Sequence, residues 1–185
     1  MELKDKKVLV FGTGISGIGA VALLEKVQAK PVLYDGNKKL TKDEISKRLP
    51  EGSNGEIIIG DLPKEIMEAL DLVVLSPCVP TDLLLVNEMR DKGIPIWGEV
   101  ELAYVNSKGK VLAITGTNGK TTTTSLLGEI MKYHAREVYV VGNIGNPYTQ
   151  VALEMSPEAV TVAEISSFQL ETIHSFRPNV SAVLN

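Results

Sequence analysis

The sequence contains a single cysteine, two histidines and no long apolar run. A lone Cys78 cannot form an intrachain disulfide, which excludes a disulfide-stapled secreted domain. A membrane-spanning helix needs about 18 apolar residues in succession, and no stretch approaches that length. His134 and His174 lack metal-ligand spacing with each other or with an acidic cluster, so surface positions are expected for both. A basic excess is missing as well. Lys and Arg number 19 against 23 Asp and Glu, a net charge of -4. That balance suits a solvated acidic surface and gives no nucleic-acid footprint. Internal repeats and low-complexity segments are absent. The opening residues lead from Met1 into an apolar run ending at Phe11, too short and too soon broken by glycine for a signal peptide. A cytoplasmic protein with neither membrane nor nucleic-acid partner is expected.

What is present is ordinary globular material: 185 residues, 44% hydrophobic and 23% charged. This allows one large domain or two small ones. Short apolar, β-branched runs alternate with helical patterns. Strands are expected at 7–11, 31–34, 56–59, 72–75 and 94–97, with helices at 18–28, 42–49, 64–70 and 81–91 between them. Nearly unbroken apolar strands alternating with helices predict an α/β fold, with a parallel sheet covered on both faces. The polar Ser107-Lys108-Gly109 is a candidate linker. Beyond it, strands at 111–114, 137–141, 159–164 and 180–185 alternate with helices at 122–133, 147–155 and 166–173. The second unit has about 75 residues, small for an independent core, and it stops in a strand. The chain therefore reads as the N-terminal portion of a longer protein.

Gly116-Thr117-Asn118-Gly119-Lys120-Thr121-Thr122 lies between an expected strand and an expected helix, the context that gives a phosphate loop its meaning. Glycines let backbone N–H groups turn toward phosphate oxygens, and the following helix offers its positive end to the same anion. Lys120 can reach the β- and γ-phosphates of ATP, and the Thr121 hydroxyl can ligate Mg2+. The commonest form of the motif has glycine five residues before Gly119. Here that position is Ile114, and the extra glycine is Gly116. The competing explanation is a glycine turn beside a helix capped by Thr121 or Thr122, but a lysine inside such a turn has no evident structural purpose. Glu164 ends a strand expected to run parallel to the one feeding the loop. It can hold Mg2+ there or be a solvated strand-end glutamate. Asn143 follows another strand end, as a crevice residue or a turn residue.

Gly12-Thr13-Gly14-Ile15-Ser16-Gly17 fits the dinucleotide fingerprint, and Asp35 ends the next strand near where a ribose-binding acid is expected. The motif establishes only that a phosphate-bearing group can approach a helix N-terminus. It leaves open NAD, another nucleotide, or a turn that merely packs helix on sheet. Trp97 and Cys78 are expected to pack.

The string from Ile114 to Thr122 resembles the ATP loop of the Mur ligase superfamily, ATP-dependent amide-bond-forming enzymes, which shows the same displaced glycine. Gly142-Asn143-Ile144-Gly145 and the string from Glu164 to Glu171 resemble the D-glutamate-adding member of that family. The resemblance covers the whole chain. It implies a Rossmann-like UDP-substrate-binding domain at 1–107 and a partial P-loop central domain at 108–185. The implied reaction uses ATP to phosphorylate the carboxylate of UDP-N-acetylmuramoyl-L-alanine. D-glutamate then attacks the acyl phosphate, in cytoplasmic peptidoglycan precursor synthesis by a monomer. It further implies that Gly116, Thr117, Asn118, Gly119, Lys120, Thr121 and Thr122 bind ATP and that Lys120 is catalytic. Thr121 and Glu164 would hold Mg2+, Asn143 would contact the muramoyl substrate, Ile15, Ser16 and Asp35 would lie near the uridine, and Ser76 near the diphosphate. Gly36-Asn37 stands where a Thr-Arg pair can follow the aspartate, and Cys78 where glycine often follows the Ser-Pro pair. The family pattern continues past Asn185 into an Asp-His motif, a modified lysine and a closing domain, so a chain of this extent is expected to be inactive alone. The alternatives are another amide ligase of the superfamily, such as a folylpolyglutamate synthetase, and a non-catalytic dinucleotide-binding module.

Overall fold

The computed structural model describes residues 2–185. The chain divides into two compact units, one ending at Glu99 and one spanning Val100–Asn185. In the first unit, β1 (Lys7–Phe11), β2 (Lys30–Asp35), β3 (Glu56–Ile59), β4 (Leu72–Leu75) and β5 (Ile96–Gly98) form one sheet in the order β3-β2-β1-β4-β5. Every neighbouring pair in it is parallel. Alternate residues explain the continuous apolar runs, because β1, β2 and β4 are buried on both sides. Leu9, Phe11, Val32, Tyr34, Val73 and Leu75 join one core cluster with Met67, Val86 and Met89. Met67 belongs to α3 (Lys64–Glu68), and Val86 and Met89 to α4 (Leu84–Asp91). Val8, Val10 and Leu33, of opposite parity along the strands, are also buried, as are Ala20, Val21 and Leu24 of α1 (Ile15–Lys26). A short α2 (Lys42–Ser46) opens on a capping box between Thr41 and Glu44.

The second unit holds β6 (Lys110–Gly116), β7 (Val138–Gly142), β8 (Val160–Glu164) and β9 (Val180–Leu184), in the order β7-β8-β6-β9 and again parallel. Helix α6 (Lys120–Lys132) follows the phosphate loop, and α7 (Ser167–Leu170) follows β8.

The structure corrects the sequence expectations at several places. α1 begins at Ile15 rather than 18, and α6 at Lys120 rather than 122, so both glycine loops run into their helices sooner than propensity suggests. The segment 147–155 forms two 3-10 turns, Tyr148–Gln150 and Ala152–Glu154, instead of one helix. Val151 at φ -115 and ψ -9 interrupts it, while Tyr148, Thr149 and Ala152 are pulled into the core. The segment 166–173 yields only the four residues of α7, started by a Ser166–Gln169 capping box. Helix α5 (Glu99–Asn106) has no counterpart among the expected elements. All but its first residue belong to the second unit, so the units part before the Ser107-Lys108-Gly109 stretch rather than at it. The reason is Glu101, which is fully buried. Its carboxylate accepts the backbone N–H groups of His174 (2.8 Å), Ser175 (2.7 Å) and Phe176 (2.9 Å), binding α5 to the segment that leads into β9. Tyr104 adds an edge-on ring contact to Phe176 at 5.2 Å.

Candidate functional site

In the first unit, β1 lies between β2 and β4, so the chain leaves β1 toward one side of the sheet and returns on the other. Such a switch point opens a crevice at the carboxyl ends of its strands. Two loops meet there. The glycine turn after β1 runs from Gly12 into α1, and the Ser-Pro loop follows β4. Ser76 is buried and donates its hydroxyl to the Gly12 carbonyl at 3.3 Å. A Cβ on Gly17 would overlap that same carbonyl oxygen, so α1 approaches the turn as closely as only glycine permits. Gly14 caps α1 with no side-chain hydrogen bond. The N–H groups of the first helical turn therefore lack intrahelical acceptors and face the crevice end. Ile15 is 61% exposed beside them, and Ser16 is half-buried.

Asp35 sits at the end of β2. One carboxylate oxygen accepts the Thr13 hydroxyl at 2.8 Å and the Thr13 N–H at 3.2 Å, and the other accepts the Asn37 N–H at 3.0 Å. Its visible task is to fasten the glycine turn to β2. Thr13, not singled out from the sequence, is the residue through which it does so. Beyond it the Tyr34 hydroxyl donates to the Gly60 carbonyl at 2.8 Å. Burial, then the charges of Asp61 and Asp35, raise this phenol above its usual range, which keeps it a neutral donor. Lys38 pairs with Asp61 at 2.8 Å on the exposed rim. Trp97 is buried as expected, but Cys78, expected to pack, is exposed on the loop after β4.

In the second unit, β6 lies between β8 and β9 and delivers the loop Gly116–Thr122. The displaced glycine now has a reason. Gly116 has φ 130, and a Cβ on it would overlap the Leu184 carbonyl oxygen of β9. Thr117 N–H donates to that carbonyl at 3.3 Å, and Asn118 N–H to the Asn185 carbonyl at 3.0 Å. Two loop amides are thus held by the last residue of β9 and the one after it. The amides of Lys120, Thr121 and Thr122 open α6, where the first intrahelical bond is Thr123 N–H to the Gly119 carbonyl. Gly119 itself is the cap residue, and no side chain caps it. Thr121 and Thr122 lie inside the first turn, so the helix-cap explanation of these threonines does not hold. Lys120 Nζ folds back over the loop and donates to the carbonyls of Gly116 (2.8 Å) and Thr117 (3.1 Å).

Beside the loop, Glu164 ends β8 in register with Ile114 of β6 and Gly142 of β7. It is 1% exposed, which removes the solvated strand-end explanation. Its Oε1 accepts Asn143 Nδ2 at 2.9 Å. Its Oε2 is buried without a hydrogen-bond partner among the described residues. An orphaned buried carboxylate oxygen is costly unless a cation or donor completes it. Among the described residues, no group of three His, Cys, Asp or Glu side chains converges on a metal position. Mg2+ does not need one, since it commonly takes one or two protein oxygens and completes its shell with phosphate oxygens and water. Glu164 Oε2 with the nearby phosphate loop fits that donor set.

The two units also correspond to two family models. Residues 6–98 match "Mur ligase MurD-like, N-terminal domain", and residues 114–185 match "Mur ligase middle domain". The UDP-N-acetylmuramoylalanine--D-glutamate ligase of Lachnoclostridium phytofermentans is 59% identical over 185 residues, covering 100% of this chain and 41% of that protein. The ligase of the same name from Lachnospira eligens is 55% identical with the same coverage. The one from Thermoanaerobacter pseudethanolicus is 50% identical over 187 residues, covering 100% of this chain and 40% of its own length. The chain thus spans about two fifths of the length of these curated relatives. Across both units, from the glycine turn after β1 to the strand that holds the phosphate loop, the chain belongs to the Mur ligases.

Proposed function

We propose that this chain supplies the nucleotide-handling part of an ATP-dependent ligase that joins D-glutamate to UDP-N-acetylmuramoyl-L-alanine in peptidoglycan precursor synthesis. The observation that carries this is the pairing of the phosphate loop with a buried, half-satisfied Glu164 at the carboxyl end of one parallel sheet. The relatives' names supply the substrates. The first unit takes the UDP moiety at its crevice, with Ile15 and Ser16 at the start of α1, Asp35 holding the turn, and Ser76 beside the diphosphate. The second unit takes ATP on the loop from Gly116 to Thr122.

The chemistry asked of the chain is positioning and charge neutralisation. The γ-phosphoryl group passes from ATP to the substrate carboxylate. The D-glutamate amine then attacks the acyl carbon, and phosphate departs with the bonding electrons. Lys120 leaves its two loop carbonyls for the β- and γ-phosphates, exchanging neutral acceptors for charged ones. The amides of the first turn of α6 receive phosphate oxygens. Mg2+, held by Thr121 and Glu164, would supply further neutralisation of the triphosphate. Asn143, beside Glu164, is positioned toward the muramoyl substrate.

Calorimetric titration of the chain tests this. ATP with Mg2+ and UDP-N-acetylmuramoyl-L-alanine are expected to bind, and NAD is not. Lys120→Ala is expected to weaken ATP by roughly ten- to a hundredfold, the size of a lost hydrogen bond to a charged group. Tight NAD binding without response to the UDP substrate would instead establish a dinucleotide-binding module.

A further inference from the structure

Gly142 and Asn143 both bear on Glu164. Gly142 stands in register with Glu164, and a Cβ on Gly142 would overlap the Glu164 carbonyl oxygen, so β7 presses on the glutamate's backbone here. The next residue makes two bonds to the same glutamate. Asn143 backbone N–H donates to the Glu164 carbonyl at 2.9 Å, and Asn143 Nδ2 donates to Oε1 at 2.9 Å. Asn143 is itself exposed, so it reaches from the solvent side onto a carboxylate that is 1% exposed. The two carboxylate oxygens are thereby made unequal, with Oε1 bonded and Oε2 buried without a partner.

We propose that Asn143 is a positioning residue for the Glu164 carboxylate, gripping Oε1 so that Oε2 is the oxygen presented to a divalent cation accompanying the nucleotide. This rests on the reading of Glu164 as a Mg2+ ligand and assigns Asn143 a task beyond substrate contact. A carboxylate rotates about its last torsion at little cost. Anchoring one oxygen removes that freedom before the cation arrives. The amide is suited to this because it donates without adding charge, whereas a lysine would compete with the cation for the carboxylate. Asn143 also keeps its second Nδ2 hydrogen and its Oδ1 for a substrate.

The test uses the 185-residue chain and Mn2+ as the probe, because bound and free Mn2+ are distinguished by electron paramagnetic resonance. Affinity for a β,γ-methylene ATP analogue is measured without divalent cation, and Mn2+ affinity is measured at saturating analogue. Asn143→Ala and Asn143→Ser keep the backbone bond and remove the amide. Both are expected to bind the metal-free analogue within about twofold of the parent and Mn2+ roughly tenfold more weakly or worse, the usual effect of removing a hydrogen bond to a metal ligand. Glu164→Gln is expected to lose Mn2+ affinity at least as severely. If both Asn143 variants bind Mn2+ like the parent while Glu164→Gln is impaired, the positioning role is overturned and the metal-ligand reading stands. If Glu164→Gln binds Mn2+ like the parent, or the parent binds no Mn2+ with the analogue, both are overturned. Loss of the native circular dichroism in both Asn143 variants, or an equal loss of metal-free analogue binding, would make Asn143 a structural residue and overturn the proposal.

Discussion

Glu101 has no exposed surface, yet three consecutive backbone N–H groups converge on its carboxylate. A buried charge is tolerated only when its lone pairs are filled, and here a bend in the chain fills them. Glu101→Gln keeps the shape but weakens a charge-assisted acceptor, and is expected to cost about 1.5–3 kcal/mol in urea unfolding. Glu101→Ala, which strands three donors, is expected to cost more. Gly17 offers a different case. Gly17→Ala would drive a methyl into the Gly12 carbonyl, so the turn or α1 must shift at a cost of roughly 1–3 kcal/mol. Thermal unfolding of the variant measures that loss, and an unchanged midpoint would contradict it. At this scale legibility depended on locality. The loop from Gly116 to Thr122 could be picked out because its residues are contiguous. Glu101, Thr13 and the Asn143–Glu164 bond could not, since their partners are remote.

β1, β2, β4 and β8 were legible as elements because a parallel strand buried on both faces leaves a continuous apolar run in the sequence. Helix α5 was not. It follows β5 without a turn or capping residue between them, and its buried acids disguise the apolar face. The short helices expected at 42–49 and 166–173 start where their capping boxes, Thr41–Glu44 and Ser166–Gln169, place them, and end sooner than expected, at Ser46 and Leu170. Ser166→Ala is expected to fray α7 at a cost of about 1 kcal/mol. The starts of β1 and β4 are tied by Asp71, which accepts the Lys7 N–H at 2.8 Å and pairs with Lys6 at 2.9 Å. The Lys6 hydrogen bond, then that of Lys7, lowers the Asp71 carboxyl below its ordinary 3.8. A pKa lowered on folding stabilises the native state above the unfolded value and loses that contribution as the pH falls through the folded one. Asp71→Asn is therefore expected to reduce stability at neutral pH and to flatten the decline below about pH 4. With both side chains more than a third exposed, the effect should stay within about 1 kcal/mol. Urea midpoints measured across that range check it.

Over the whole molecule, two sheets each place their loops at the carboxyl ends of their strands, and each carries its own candidate site. Ligands that bind only the folded form protect the unit they occupy, by about 2.7 kcal/mol at a hundredfold excess over Kd. Amide exchange is therefore expected to slow at 116–124 with ATP and Mg2+, and at 12–17 with UDP-N-acetylmuramoyl-L-alanine. Protection of one common segment by both ligands would contradict the division of labour. Among the described residues no helix is long and apolar enough to cross a membrane, matching the absence of a long apolar run.

The sequence by itself determined the α/β alternation, the two glycine loops and the family, because each is written in contiguous residues whose spacing carries the physics. Only the tertiary structure decided that β1 lies between β2 and β4, and β6 between β8 and β9. It also decided that Gly116 must be glycine because β9 passes against it, and that Asn143 grips Glu164 across 21 positions of sequence. Those contacts join segments brought together by burial, and burial acts on surfaces that exist only once the strands have paired. The phosphate loop was therefore legible from its own residues, while Glu164, singled out by its place at a strand end, stayed open between a metal ligand and a solvated side chain until the sheet buried it.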